Sequence, residues 1–266
     1  MSDDIDAIPT HVTRLVHAVQ LTPGVRRLTF AGGLDRYRTA GPDSFVYVLL
    51  PPPGHRELTI GVDFTWSACF EMPEAERPVG AYYTVRHHRP ANGELDIDVV
   101  LHDDAGPASG WAATAEAGDP VALWGPRTSY HPPDGTDDLL LVADDTGLPA
   151  ACAIAESLAP HQRVHLVAEV ADRREHQPIT TKAACSVTWL HRGGAPPGRS
   201  TALADAVTAL PMPPASTYVW GGGESRIMTG IRKHVRRTWG LPRDQVSLTP
   251  YWRHADSPIP TTEDDE

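Results

Sequence analysis

The chain has 266 residues, of which 41% are hydrophobic and 21% are charged, and its formal net charge is −11. This length and apolar content fit one large or two ordinary globular domains, and the negative charge argues against non-specific nucleic-acid binding, which needs a basic field. We expect a cytoplasmic protein without a membrane partner, because no apolar run could span a bilayer and the acidic N-terminal segment lacks the core of a secretory signal.

Short strands are predicted throughout the first half of the chain. Apolar and polar residues alternate there, or form continuous apolar runs, between turn signals such as Asn92-Gly93. The strands are predicted in HVTRLVHAVQ, GVRRLTFAG, FVYVLLP, YYTVRHH, LDIDVVLH and PVALWGP. A helix is predicted over 107–118, with Gly118 as its stop. Strands of this number and spacing favour a closed antiparallel barrel.

Strands begin to alternate with helices after the Pro/Gly-rich segment 132–135. Strands are predicted in DLLLVAD, RVHLVAEV, VTWLH, TYVWG and QVSLTPYW, and helices in TGLPAACAIAESL, TALADAVTAL and SRIMTGIRKHVRRTW. This alternation indicates a parallel sheet that binds ligands at the carboxyl ends of its strands. We therefore expect a two-domain β + α/β fold, with a barrel domain over 1–133, an α/β domain over 134–255 and an acidic disordered tail over 256–266.

The segment GAYYTVR, residues 80–86, brings chemically useful side chains together on one predicted strand. Tyr83 could stack on a flavin ring and Thr84 could reach flavin N5. Both residue types also suit a strand by propensity alone, so both explanations remain open at this point.

Several motifs in order resemble the siderophore-interacting protein family. The residues that carry the resemblance are the segment 95–127, from LDIDVV to WGPR, with YTVR, DDTGLPA, YVWGGGES and YWR, and it runs from about residue 12 to residue 253. It implies an FAD-dependent ferric-siderophore reductase of the ferredoxin-reductase-like superfamily. The barrel domain would bind FAD, and the α/β domain would bind NADPH or NADH.

The resemblance assigns cofactor contacts in the barrel domain to matching positions. Tyr83 and Thr84 would meet the isoalloxazine as the catalytic pair. The cofactor-binding positions are Tyr83, Thr84, Val85, Arg86, Val100, Leu101, His102, Gly106, Pro107, Ala108 and Ser109. A turn of small residues at a helix N-terminus offers free N–H groups to a pyrophosphate. Ser109 could instead be a simple helix cap.

The resemblance also assigns nicotinamide-nucleotide contacts to the α/β domain, at Thr146, Gly222, Gly223 and Glu224. Thr146 could equally be a helix N-cap, and the glycines could simply make a tight turn. The family more often has alanine where Gly147 stands. Two arginines after a predicted strand, at 173 and 174, give a weak indication of NADPH.

Ala81 departs from the family pattern, which usually has arginine two positions before the flavin-facing tyrosine. That arginine binds the FAD phosphates by charge-assisted hydrogen bonds. Its loss would cost about 1.5–3 kcal/mol, or roughly ten- to a hundredfold in affinity. Arg86, Arg89 or Arg127 could compensate.

We expect a ferric siderophore to dock near Arg86, His87 and Arg253. Two alternatives remain open: a different small-molecule acceptor, such as a quinone or a biosynthetic intermediate, or a binding module with weakened FAD affinity or other chemistry. No metal site is expected, because adjacent histidines on a strand point to opposite faces. Cys69, Cys152 and Cys185 are expected to be reduced core thiols.

Overall fold

Alternating apolar residues in the first half of the chain form six strands that close into an antiparallel barrel in the computed structural model, which describes residues 5–102 and 106–254. The strands are β1 (Thr10–Thr22), β2 (Val25–Ala31), β3 (Phe45–Leu50), β4 (Val79–Arg89), β5 (Glu94–Val100) and β6 (Pro120–Arg127). Their order in the barrel is β1-β2-β5-β4-β3-β6, and β6 pairs back to β1.

A helix rich in small residues, α2 (Pro107–Thr114), packs against the barrel core. Ala108, Ala112 and Ala115 are all buried among barrel residues, and their small side chains allow the helix backbone to approach the strands closely. The helix ends before the predicted stop at Gly118, because Ala115 is already extended and Gly118, with φ of +101°, belongs to the turn before β6.

The sequence interpretation missed the short α-helix α1 (Trp66–Glu71), in the connection from β3 to β4. It also missed four 3₁₀ helices of the described residues, at Ile5–Ala7, Glu74–Glu76, Arg173–Glu175 and Arg243–Gln245. The Thr65 side chain accepts a hydrogen bond of 3.1 Å from the Ala68 N–H and so caps α1. Six residues are too few to show a helical period, so only the cap could have indicated the helix.

The second half of the chain forms a parallel five-stranded sheet. Its strands are β7 (Asp138–Ala143), β8 (Arg163–Val170), β9 (Ala184–His191), β10 (Tyr218–Glu224) and β11 (Val246–Trp252), and their order in the sheet is β11-β10-β7-β8-β9. Helix α3 (Leu148–Ser157) packs on one face, and α4 (Ala202–Thr208) and α5 (Ser225–Arg237) pack on the other. This is the doubly wound arrangement that places ligand sites at the carboxyl edge.

These observations confirm the predicted fold class, a β-barrel followed by an α/β unit with a parallel sheet. The chain divides into two compact units, Met1–Thr128 and Ser129–Glu266, called the barrel unit and the α/β unit below. The predicted acidic tail, 256–266, lies outside the described residues.

All three cysteines are free, but Cys185 is exposed, so the expectation of three core thiols is wrong for that residue. Across 5–102 and 106–254, His, Cys, Asp and Glu side chains form no group of three or more that could hold a metal ion. No helix of the same ranges combines the length and apolar character needed to cross a membrane.

Candidate functional site

Tyr83 on β4 lies against the barrel core and beside α2. With Ala108 and Trp111 it lines a narrow void of about 10 Å³. Burial raises the pKa of Tyr83 to about 12, so its phenol is protonated at neutral pH. Its ring therefore offers an uncharged aromatic surface next to the start of the helix.

Thr84 is buried at 5% exposure, and its hydroxyl has no hydrogen-bond partner among the described residues. A buried polar group left in this state costs about 1–3 kcal/mol, so such groups are rare and call for a reason. A ligand that hydrogen-bonds to the Thr84 hydroxyl would satisfy it. This orphaned group fits the flavin contact predicted for Thr84.

The first turn of α2 is arranged as an open donor site beside the end of β5. Gly106 is the N-cap and no side chain within 5–102 and 106–254 caps the helix, so among these residues its first N–H groups are left for another acceptor. The Ser109 hydroxyl donates instead to the Val100 carbonyl at 3.3 Å, which fastens the helix start to β5. Ser109 is therefore not a helix cap, and the backbone N–H groups are what a phosphate could use.

The other predicted cofactor contacts near α2 offer less evidence for a cofactor site. Leu101 packs on the barrel core and donates its N–H to Gly24, and His102 is exposed. The side chain of Pro107 lies outside the described structure.

Val85 does not fit its predicted role as a cofactor contact. Its side chain is buried in the barrel at 3% exposure, and its N–H donates to the Ser44 carbonyl at 2.7 Å. Neither group is available to a ligand. Thr84 and Arg86 on either side of Val85 are buried as well, so this part of β4 is covered on both faces.

Arg86 is also buried, at 7% exposure, with its Nε 3.9 Å from Asp98. Its Nη1 lies 3.0 Å from the His87 ring. The same Asp98 carboxylate accepts two hydrogen bonds from Arg27, at 2.6 and 2.8 Å. The structure thus places Arg86 in an internal charge network and not on the docking surface that the sequence interpretation assigned to it.

His87 and Arg89 converge on Asp96, which is buried. Burial alone would raise the pKa of Asp96, but hydrogen bonds from Arg89, His87 and Thr29 hold that pKa well below its usual range. Asp96 is therefore a carboxylate that orders this end of β4. His88 lies apart from this network, with its ring 4.9 Å from that of Tyr37.

Asp144, at the carboxyl end of β7, holds the edge of the parallel sheet together. Its Oδ1 accepts from the Thr146 N–H at 2.8 Å, the Thr146 hydroxyl at 2.6 Å and the Gly147 N–H at 3.3 Å. Its Oδ2 accepts from the Glu224 N–H at 2.9 Å and the Trp252 indole at 2.8 Å. Thr146 is therefore not the helix cap, because Gly147 is the N-cap of α3 and Asp144 supplies the acceptor.

The glycine run belongs to strand β10 and does not form the tight turn considered from the sequence. A Cβ at Gly222 would lie 2.8 Å from the Tyr251 ring, and one at Gly223 would lie 2.8 Å from the Asp144 carboxylate. These glycines allow the protein's own side chains to approach the strand closely. Gly147 is restricted in the same way, because a Cβ there would lie 2.1 Å from the Gly222 carbonyl oxygen.

Glu224 is fully buried and caps helix α5. Its Oε2 accepts from the Arg226 and Ile227 N–H groups at 2.7 and 3.2 Å, and its Oε1 accepts from the His254 N–H at 3.3 Å. The Glu224 carboxylate is thus engaged by backbone donors, so its predicted contact with a nucleotide is not supported by this geometry.

Sequence reasoning missed an ion pair between Asp145, after β7, and Arg192, after β9. Both side chains are largely buried, at 15% and 8% exposure. Burial raises the pKa of Asp145 to about 6, although the Arg192 guanidinium favours the charged carboxylate. Perturbed acids at the carboxyl edge of such a sheet are candidate ligand contacts. The residues are 47 positions apart, so only the fold shows the pair.

Three arginines that the sequence analysis named as possible ligand contacts are exposed. Arg173 is one of them, and Arg174 is held by Asp172 through hydrogen bonds of 2.7 and 3.1 Å. Arg253, which follows β11, is the third.

Two family models together match nearly the whole chain. The siderophore-interacting FAD-binding domain matches residues 14–130, and the siderophore-interacting protein model matches residues 136–255.

The chain is also similar to named proteins and solved structures. Ferric vibriobactin reductase ViuB from Vibrio cholerae is 31% identical over 260 residues, covering 95% of this chain and 93% of that protein. The crystal structure of a siderophore utilization protein from T. fusca has a TM-score of 0.82 and 30% identity, covering 94% of this chain and 95% of that one. A ferredoxin NADP+ reductase from Neisseria gonorrhoeae, with bound FAD and NADP, has a TM-score of 0.63 at 15% identity, covering 91% and 99%. This last match shows the ferredoxin-reductase-like fold alone.

Proposed function

The chain belongs to the siderophore-interacting protein family, and from this premise we propose that it is an FAD-dependent reductase that uses NAD(P)H to reduce a ferric siderophore and release Fe(II). The barrel unit, with a sequence boundary near residue 133, would bind FAD. The α/β unit, up to residue 255, would bind the nicotinamide nucleotide.

The orphaned hydroxyl of Thr84 is the observation that best supports a flavin in the barrel unit. The residue lies next to Tyr83, whose uncharged ring could cover one part of an isoalloxazine. The N–H groups at the start of α2, which no described side chain caps, could donate hydrogen bonds to phosphate oxygens. An aromatic wall, a hydrogen bond and a phosphate cradle thus lie within one unit, as FAD binding needs.

The chemistry that FAD would supply is hydride acceptance from NAD(P)H and one-electron reduction of Fe(III), and reduction to Fe(II) weakens binding by hard oxygen ligands. The protein would contribute binding and orientation. Thr84 would position the reactive edge by a hydrogen bond, and the helix N-terminus would fix the phosphates. Arg86, which is buried beside Asp98, would support β4 from inside and would not touch the siderophore.

We place the nicotinamide nucleotide at the carboxyl edge of the parallel sheet. Thr146, which Asp144 holds by hydrogen bonds, lies at this edge, and so does the backbone of Gly222 and Gly223 in β10. Glu224 would act only by shaping the start of α5. The choice between NADH and NADPH would then depend on exposed cations such as Arg173.

The acceptor is proposed from the family and from the name of its relative ViuB, a ferric vibriobactin reductase. Exposed Arg253 of the α/β unit remains a proposed siderophore contact, since ferric siderophore complexes are commonly anionic and its positive charge would attract them. Half-exposed His87 of the barrel unit remains a second proposed contact, considered separately.

A visible absorption spectrum of the purified protein, before and after addition of FAD and desalting, tests the flavin site. We expect flavin bands that survive desalting. The Thr84→Val variant should also retain FAD but reduce a ferric siderophore more slowly, with a shifted flavin potential. Protein that remains colourless after FAD addition would remove the redox assignment.

A further inference from the structure

A cavity of about 660 Å³ lies in the barrel unit, where β3 ends, β4 begins and the chain turns from α2 into β6. Its lining includes Leu50, Val79, Arg56, Trp111 and Glu116. This volume falls within the range of about 300–1,000 Å³ that is typical of small-molecule sites.

The cavity lies in line with Tyr83 along β4. Val79, Ala81 and Tyr83 alternate along the strand and all pack against the same barrel cluster, so they share one face. Same-face neighbours on a strand are about 6.6 Å apart. All three residues are only half-buried, so a ligand that ran from Tyr83 toward the start of β4 would pass Ala81 and then reach the cavity at Val79.

Arg56 contributes an uncommitted positive charge to this cavity. Within the described ranges, no residue forms a hydrogen bond or ion pair with its side chain. Arg86 and Arg89 are instead held by buried carboxylates. Arg127 lies over the Phe45 ring at 5.6 Å, away from the cavity lining. Of the arginines that could stand in for a missing one at position 81, Arg56 is the best placed.

The other polar and aromatic side chains that line the cavity suit a nucleoside better than a phosphate. Glu57 is bound to Arg14 at 3.3 Å, and Asp119 accepts a hydrogen bond from the Glu116 N–H at 3.0 Å. The Glu116 carboxylate would repel phosphate but accept hydrogen bonds from ribose hydroxyls. Trp111 offers an aromatic surface to a purine.

We propose that this cavity binds the adenosine half of FAD and that Arg56 makes the phosphate contact for which Ala81 has no side chain. This inference rests on the proposed function, since it assumes that the flavin half lies at Tyr83. The dinucleotide then follows β4, with the ring at Tyr83, the pyrophosphate near Ala81 and Arg56, and the adenosine at Val79 and Trp111.

Calorimetric titration of the full-length protein with FAD, FMN and riboflavin tests this arrangement. Arg56→Ala should raise the Kd for FAD about ten- to a hundredfold, the effect of losing a charge-assisted hydrogen bond, and leave riboflavin binding unchanged. Pro53→Trp, which fills the cavity from an exposed lining position, should weaken FAD binding but not FMN or riboflavin binding. Ala81→Arg in the Arg56→Ala background should restore FAD affinity.

The matched control is Arg127→Ala, which should leave the Kd for FAD unchanged. Equal FAD affinity in wild type and Arg56→Ala, or a loss in Arg127→Ala instead, would overturn the role of Arg56 while the flavin site stands. FAD binding that Pro53→Trp does not weaken would overturn the adenosine site. Wild-type protein that binds none of the three flavins would overturn the proposed function, and this inference with it.

Discussion

Replacement of Asp144 by alanine is expected to destabilise the α/β unit, because five hydrogen bonds end on this one carboxylate. Thr146 and Trp252 are partly exposed and can turn to water, and the Gly147 N–H keeps the Asp144 main-chain carbonyl as an acceptor at 3.1 Å, but the Glu224 N–H is buried. A buried donor left without its partner costs about 1–3 kcal/mol, so the loss should be at least of that size. Whole proteins have only about 5–15 kcal/mol of net stability.

Urea denaturation of the full chain, followed by circular dichroism and tryptophan fluorescence, measures this loss. The matched control is Thr146→Ala, which removes one donor and leaves Asp144 with its other partners. That control should cost about 0.5–1.5 kcal/mol. If Asp144→Ala loses no more stability than Thr146→Ala, the view that Asp144 holds the sheet edge together is wrong.

Three other perturbations follow from the described contacts. Gly147→Ala should lower the free energy of unfolding in urea by about 1–3 kcal/mol, because the new Cβ would meet the Gly222 carbonyl. The control Gly230→Ala, which has open space around it in α5, should not destabilise the protein, and equal effects of the two substitutions would contradict this reasoning. Thr84→Val should leave the melting temperature of the flavin-free protein unchanged or raised, because the hydroxyl has no partner to lose; a clear fall would reveal a hidden partner. The folded-state pKa of Asp96 is depressed, so its contribution to stability should be present above about pH 4 and lost as pH falls below that value. The difference in stability between wild type and Asp96→Asn should therefore shrink on acidification, and a difference that does not change with pH would refute this.

Local sequence patterns were sufficient for most of the secondary structure. Alternation in β5 and the apolar period of α5 are visible within single segments, because one face of each element is buried. The change from barrel strands to alternating strands and helices was enough to predict the fold class. Helix α1 was missed because six residues carry almost no periodic signal.

Site residues were harder to predict because their roles depend on distant partners. The glycine run in β10 looks like a turn until Tyr251 and Asp144 are seen against it. Arg86 looks like a surface cation until Asp98 is seen beside it. Thr84 is the opposite case, because its predicted role needs a hydroxyl that no protein group has taken as a hydrogen-bond partner. No described residue forms a hydrogen bond with that hydroxyl.

Iron release measures the central claim most directly. Anaerobic protein loaded with FAD would be mixed with NADPH or NADH and a ferric tris-catecholate, with the Fe(II) chelator ferrozine present to trap the product. We predict a ferrozine–Fe(II) signal that depends on both the protein and FAD, and that slows in Thr84→Val. If the bound flavin is reduced but no Fe(II) appears with this or a ferric hydroxamate complex, the protein is not a ferric-siderophore reductase.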